Sequence, residues 1–269
     1  MRIQTAPLRN PVHQHGKKPM DMLTADRRAY YAVKRAMDIF LAVFLLIVTL
    51  PITLLAGIAI YIYSPGPIFF IQERVGARRR TRGKDTSWEP VKFRCFKFRT
   101  MKLNCDSSVH QAYIRALIEN NEKEMQAVQE RATEPRQLAR QEKEKAAADP
   151  TQPRKLTHDA RIIRPGRLLR KLSIDELPQL INVLRGDMSM IGPRPAIPYE
   201  VEMYKPWHLL RLQAQPGLTG LQQVTARCTT DFDEQVRLDI EYIRRQSIWL
   251  DLKIAIKTPL AILFARGAY

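Results

Sequence analysis

The chain is short of acid. Its 269 residues carry 27 Asp+Glu against 44 Lys+Arg, a formal net charge of +17. Such a deficit argues for a polyanionic partner: nucleic acid, an anionic lipid surface or a phosphorylated substrate. Cysteine is scarce as well. Cys95, Cys105 and Cys228 are an odd, scattered set with no disulfide or metal spacing. That excludes a disulfide scaffold and fits ordinary packing residues in a reducing compartment. Long hydrophobic runs are rarer still, since a single one stands at residues 39–63. It is too long and begins too late for a cleavable signal, and no small-residue cleavage site follows it. What is present is enough apolar material, 45% of the chain, to build a core of one large domain or two small ones.

The run "IFLAVFLLIVTLPITLLAGIAIYIY" contains no charge. At ~1.5 Å per residue a helix of this length reaches across a ~30 Å hydrocarbon layer. Pro51 stands at its midpoint, where it removes a helical hydrogen bond and predicts a bend or break. Both flanks are basic, with Lys34 and Arg35 before the run and Arg74, Arg78, Arg79, Arg80 and Arg82 after it. The positive-inside bias holds both ends on the cytoplasmic side. The expected element is therefore a re-entrant helix-break-helix with arms of ~18 Å, each about one leaflet deep. Thr49 is placed to give a hydroxyl to the carbonyls freed at the bend. Asp38 sits at the mouth beside Lys34 and Arg35, one of which is its expected partner. A kinked single span is the plain alternative.

Three regions follow: a basic arm over 1–32, the membrane hairpin over 33–63 and a larger domain over 64–269. "SPGPIFF" at 64–70 reads as a turn entering a short strand, and "VKFRCFKFRTM" at 91–101 alternates like a half-buried strand. Its basic residues, Lys92, Arg94, Lys97 and Arg99, form either a phosphate-facing or a merely solvated face. Residues 104–156 turn rich in Glu, Gln, Lys, Arg and Ala, which reads as exposed helices inserted into the domain. Phe232, Val236, Ile240 and Ile243 recur at 4, 4 and 3 and mark one buried helix face. Residues 247–264 are an apolar helix for either the core or the lipid interface.

Within this basic chain, "SIDELPQL" at 173–180 sets Asp175 beside Glu176. Ser173-x-x-Glu176 matches a capping box, and Pro178 fits near a helix start. A helix start does not need Asp175, nor the turn-rich "LRGDMSMIGPRP" at 184–195, whose glycines and prolines hold Arg185, Asp187 and Arg194 in fixed directions. At a helix N-terminus, with Arg170 nearby, Asp175 is expected to stay ionised. An ionised carboxylate can attack phosphorus. Attack on an anionic pyrophosphate needs Arg and Mg²⁺ to neutralise charge, and Glu176 suits Mg²⁺, which takes one or two carboxylates plus phosphate oxygens. On these residues alone, the structural and the catalytic readings both stand.

"LRKLSIDELPQLINVLRGDMSMIGPRP" at 169–195 resembles the signature of the bacterial sugar transferases, the monotopic phosphoglycosyl transferases that act on undecaprenyl phosphate. "KRAMDIFLA", "SPGPIFFIQERVG", "FKFRTM", "QPGLTGLQQV", "WLDLKI" and the terminal "GAY" agree with it in order. The resemblance implies an α/β catalytic domain, compact, on a re-entrant membrane helix, with amphipathic helices in the interface. It implies transfer of a sugar-1-phosphate from a UDP-sugar to undecaprenyl phosphate, with UMP released and the phosphosugar held on an aspartate in between. Such a reaction initiates exopolysaccharide, capsule or O-antigen assembly.

On this sequence the nucleophile matches Asp175, and Glu176 matches the Mg²⁺-associated acid, with Asp175 adjoining the metal. Arg170 matches a phosphate-contacting residue, and Pro193-Arg194-Pro195 a uridine-nucleotide motif. Lys97, Arg99 and Asp251 fall in family motifs as further substrate-binding residues. The implied setting is the bacterial cytoplasmic membrane with the domain facing the cytoplasm, anionic lipids around it, a homodimeric state and no nucleic acid. The sequence departs from the family in three ways. Leu50-Pro51 replaces the usual Ser-Pro break, the 104–156 insert is long, and the extra N-terminal membrane helices of the large members are not expected. A membrane-associated nucleic-acid binder explains the charge but gives no role to "SIDELPQL". An assembly scaffold without activity would not need the intact acid pair.

Overall fold

The computed structural model describes residues 27–82, 85–103, 108–119, 121, 123–125, 127–128, 161–225 and 231–263. The first element, α1, is one α-helix over Arg28–Tyr63 with Pro51 inside it. The expected interruption is absent: the chain stays helical through Pro51, which corrects the helix-break-helix reading. Thr49 Oγ1 donates to Leu45 O at 2.6 Å and Thr53 Oγ1 to Leu50 O at 2.8 Å, so hydroxyls bond backbone carbonyls on both sides of the proline. Pro51 itself lies on the exposed side, where its ring crowds no neighbouring element. The helix also begins inside the expected 1–32 arm, the rest of which lies outside the described residues.

One stripe of α1, Lys34, Asp38, Ala42, Ala56, Gly57 and Ile60, is buried against the rest of the protein. Ala42 joins the main core with Leu180, Val183, Met188 and Met190. Ala56 and Ile60 join a second cluster with Phe98, Ile163 and Leu169. Both ends of the helix thus pack on the same body. Between them Ile47, Val48, Leu50, Leu54 and Leu55 are exposed, a bare apolar face long enough to cross a membrane. Such a face is stable against lipid and not against water.

After α1, strands β1 (Phe69–Arg82) and β2 (Asp85–Phe98) form a long antiparallel hairpin in the register Phe69↔Phe98 to Arg82↔Asp85. Only a short strand is expected at 64–70, and β1 is longer. The arginine run 78–80 hides the rest of β1, which is held by pairing and not by apolar alternation. The next element, α2 (Ser108–Ile118), opens the inserted region. It is not a free excursion: Ile114, Leu117 and Ile118 pack with Phe232, Val236 and Ile240. Residues 129–156 of the insert lie outside the described residues.

The remainder winds through α3 (Arg164–Lys171), the 3₁₀ turn η1 (Ile174–Gln179), α4 (Leu180–Arg185), β3 (Ser189–Ile191), α5 (Pro198–Glu202), the 3₁₀ turn η2 (Pro206–Leu212) and β4 (Gly217–Thr219). It ends through α6 (Leu221–Thr225), α7 (Phe232–Arg245) and α8 (Ile248–Leu263). β3 and β4 pair in parallel, so the architecture is mixed helix and sheet, built on two small sheets. The apolar face read at 232–243 is buried as expected. α8 answers the core-or-interface question with both. Asp251 and Ile254 face inward, while Trp249, Ile256 and Leu260 are exposed. That is the pattern of a helix lying in an interface.

Candidate active site

Asp175 and Glu176 stand in the first turn of η1. Ser173, which precedes it, is in the left-handed conformation at φ 55°, the one non-glycine residue so placed among those described. For a residue with a Cβ this costs on the order of 1–2 kcal/mol and persists only where surroundings enforce it. The expected capping box is not formed. Ser173 makes no side-chain cap, and Glu176 reaches across to β2, where Lys97 Nζ donates to its Oε1 at 2.8 Å. A local S-x-x-E pattern lost to a partner far away in sequence.

The strand and the acid pair are fixed relative to each other by Asn182, fully buried on α4. Its Oδ1 accepts from Phe96 N at 3.0 Å and its Nδ2 donates to Arg94 O at 2.6 Å. Sequence reasoning passed over it. The available signal was one amide in the otherwise apolar "LINVL".

Arg170 reaches the pair from α3. Its Nε donates to Thr100 Oγ1 at 2.9 Å. The helix that carries it is seated on the exit of β2: Ile163 N bonds Thr100 O, Lys102 N bonds Arg161 O, and Met101 bridges Ile162. A Cβ at Gly166 would collide with the Thr100 carbonyl, so glycine is required for this approach.

The two acids have different environments. Glu176 is paired with Lys97. The carboxylate of Asp175 meets no side-chain hydrogen-bond donor among the described residues. Burial first, and then the negative charge of Glu176, push it up to about 6, against the opposing charges of Lys97 and Arg170. At neutral pH Asp175 is still ionised, as expected, but the helix N-terminus is not what keeps it so. A single 3₁₀ turn has little dipole to offer, and desolvation outweighs it.

Pro193 and Pro195 are buried and Arg194 between them is exposed. The turn is held by Gly217 N to Pro193 O at 2.8 Å, by Arg74 Nη1 to Pro195 O at 3.0 Å, and by the Val75–Ala196 bridge. Gly192 and Gly217 approach so closely that neither has room for a Cβ. Arg194 makes no hydrogen bond or ion pair among the described residues. Buried Arg74 feels the charges of both Arg194 and Glu176, as does Cys95, which puts Arg194 in electrostatic reach of the acid pair. Arg74, another residue the sequence reading did not assign, is the support of that turn.

Arg99 is buried beside the end of α1, where its Nη2 donates to Ser64 O. Its Nε and Nη1 have no acceptor among the described residues. Around this side of the site Leu168, Leu172, Phe69, Phe70 and Leu103 are exposed, an apolar rim.

Asp251 is not brought to the pair. On α8 it accepts from Lys34 Nζ at 2.9 Å, Tyr30 Oη at 2.9 Å and Tyr242 Oη at 2.8 Å. These partners tie α1, α7 and α8 together and include none of the groups around Asp175. The expected partnership of Asp38 with Lys34 or Arg35 is likewise not made. Asp38 accepts from Ser189 Oγ at 3.0 Å and Met190 N at 2.9 Å, and so anchors α1 to β3.

Among the described residues no group of three or more His, Cys, Asp or Glu side chains comes together as an all-protein metal cage. An adjacent acid pair, one member raised by the other's charge, is a donor set of the kind that holds Mg²⁺ together with substrate phosphate oxygens.

One family profile and three relatives show what the chain is similar to. The profile of the family described as "Bacterial sugar transferase" matches residues 29–265. The exopolysaccharide production protein ExoY of Sinorhizobium fredii is 34% identical over 236 residues, covering 88% of both chains. The UDP-glucose:undecaprenyl-phosphate glucose-1-phosphate transferase of Caulobacter vibrioides is 34% identical over 260 residues, covering 93% of this chain and 75% of that protein. The undecaprenyl-phosphate galactose phosphotransferase of Salmonella typhimurium is 34% identical over 248 residues, 90% of this chain but 43% of that longer protein. With a match that runs from the first turn of α1 to the end of α8, the chain belongs to the bacterial sugar transferase family.

Proposed function

We propose that this protein transfers a sugar-1-phosphate from a UDP-sugar to undecaprenyl phosphate at a membrane surface, by way of a phosphosugar ester on Asp175. One observation carries the reading: of two adjacent carboxylates, one is held by a lysine and the other meets no side-chain donor among the described residues, half-buried, after a strained residue. A carboxylate raised to about 6 is ionised at neutral pH yet more basic than usual, which suits a nucleophile.

In the first step an Asp175 carboxylate oxygen attacks the β-phosphorus of the UDP-sugar. The bond from that phosphorus to the bridging oxygen breaks, and UMP leaves with the electron pair. In the second step a phosphate oxygen of undecaprenyl phosphate attacks the same phosphorus. The Asp175 ester bond breaks, and the polyprenyl diphosphate sugar departs. Arg170 and Lys97 offset charge next to the attacked phosphorus, and Arg194 holds the uridine nucleotide from its rigid turn. Arg99, whose Nε and Nη1 find no acceptor among the described residues, lies beside the membrane helix and takes the acceptor phosphate. Glu176, adjoined by Asp175, is the residue that would hold Mg²⁺, which when bound offsets the charge of the pyrophosphate.

The exposed flank of α1, the outer face of α8 and the apolar rim support attachment to the bacterial inner membrane, with lipid as the route of the acceptor. Both ends of α1 pack on one body, and the basic residues on both flanks support re-entry of this helix from the cytoplasmic side, with the helix unbroken at Pro51. The names of the relatives support the reaction class, and that of ExoY supports a role in exopolysaccharide production. The test is UMP release by detergent-solubilised protein supplied with UDP-sugars. Asp175→Asn and chelation of divalent ions are both expected to abolish it, and UMP formed by Asp175→Asn would remove the nucleophile assignment.

A further inference from the structure

A cleft of about 210 Å³ has a lining that does not include the acid pair. It is lined by Tyr31, Lys34, Arg35 and Asp38 of α1, Ala77, Arg78 and Arg79 of β1, Trp88 of β2, and the Gly186 and Gln215 loops. None of these residues contacts Asp175 or Glu176. Trp88 lies nine residues from Lys97 on β2, about 30 Å along an extended strand.

The lining holds four cations and one carboxylate. That carboxylate, Asp38, is taken by Ser189 and Met190, and Lys34 is taken by Asp251. Arg35 donates to two neutral carbonyls, Val183 O at 2.6 Å and Leu184 O at 2.8 Å. The Arg79 guanidinium lies over the Tyr31 ring at 4.2 Å. Arg78 makes no ion pair among the described residues, because Glu89, opposite it in register, is bonded to Arg80 at 3.0 Å. Arg35, Arg78 and Arg79 therefore converge without a carboxylate of their own. The indole N–H of Trp88 is buried and has no acceptor among the described residues. A concave, uncompensated positive site with an orphaned donor is built for an anion.

The cleft's depth names the anion's source. On the outer side of the same helical turns Val33, Ile39 and Phe40 are exposed and apolar. The cleft lies where α1 passes from charged to lipid-facing sequence, and Tyr31 and Trp88 are the aromatics favoured at that level. Its volume is below the ~300–1,000 Å³ of pockets that enclose drug-sized ligands, so it takes a headgroup rather than a whole nucleotide sugar. We propose that this cleft is a phosphate-binding site, separate from the transfer site, that takes the phosphate of a membrane lipid headgroup and fixes the height and tilt of the domain on the bilayer.

The test is calorimetric titration of the detergent-purified full chain with three probes: dihexanoyl phosphatidylglycerol, dihexanoylglycerol, which lacks phosphate, and inorganic phosphate. The phospholipid is expected to bind and the phosphate-free lipid not to. Arg78→Ala/Arg79→Ala is expected to weaken binding by roughly tenfold or more, and Trp88→Phe, which keeps the ring and removes the donor, by a few-fold. Thermal unfolding of each variant reports whether the fold is kept. Binding of the phospholipid alone upholds a headgroup source. Binding of inorganic phosphate with the same dependence on the arginines upholds the phosphate site with a soluble source. Equal binding by folded variants, equal binding of dihexanoylglycerol, or no binding of either phosphate probe overturns the proposal.

Discussion

Two aspartates in this chain meet opposite surroundings. Asp251 is almost fully buried and satisfied three times over, by an ammonium and two phenols from elements far apart in sequence. Asp175 is half-buried, sits after a strained residue and has no side-chain donor among the described residues. The first arrangement spends its polar contacts on holding helices together. The second leaves a carboxylate unspent at some expense of stability, the balance expected where a side chain is kept for chemistry, the role proposed above for Asp175. Bonding as well as burial distinguishes the two carboxylates.

The comparison is open to attack from both ends. The largest effect is expected at Asp175. Asp175→Asn should lower UMP release by about 10³-fold or more, read as initial rate per folded protein. The same substitution should stabilise the chelator-treated protein. Asp175 is raised from 3.8 to about 6 in the fold, so the folded state holds its proton longer than the unfolded chain does. Below pH ~4 both states are protonated and the side chain contributes nothing. Its penalty grows as pH rises from 4 to 6 and is full above that. Thermal melts of wild type and Asp175→Asn should therefore coincide near pH 4 and separate toward pH 7.5, with the variant higher.

Next in size is the converse experiment. Asp251→Ala leaves Lys34 buried without its partner and should destabilise the protein by about 3–5 kcal/mol. Removing both charges as Lys34→Met/Asp251→Leu should restore much of that, as denaturant midpoints would show. A smaller, directional effect is expected at Lys97. Lys97→Met withdraws the cation that pairs Glu176 and lowers Asp175, so the acid limb of the pH–rate profile should move to higher pH. The smallest belongs to Ser173→Gly, which admits φ 55° without a Cβ clash and should stabilise by about 1 kcal/mol or less.

Local patterns were readable in the sequence and distant partnerships were not. The face Phe232–Val236–Ile240–Ile243 and the strand at 91–98 came from periodicity, which a few consecutive residues carry. The acid pair, Arg170 and the Pro193-Arg194-Pro195 turn were found because turn chemistry and adjacent charge are also local. Lys97–Glu176 and Lys34–Asp251 are closures across most of the domain, and no short window contains them. The capping box misled for the same reason, as did the placement of Asp251 with the substrate groups. Pro51 shows the opposite limit: a strong local breaker, overridden by a helix whose hydroxyls and packed ends keep it continuous.

The most direct measurement is mass spectrometry of protein quenched during incubation with a UDP-sugar and no lipid acceptor. The account predicts a mass increase equal to one sugar phosphate less one water, on the peptide bearing Asp175, lost in Asp175→Asn and discharged by adding undecaprenyl phosphate. An adduct on another side chain, or full turnover with no adduct at any quench time, would contradict it.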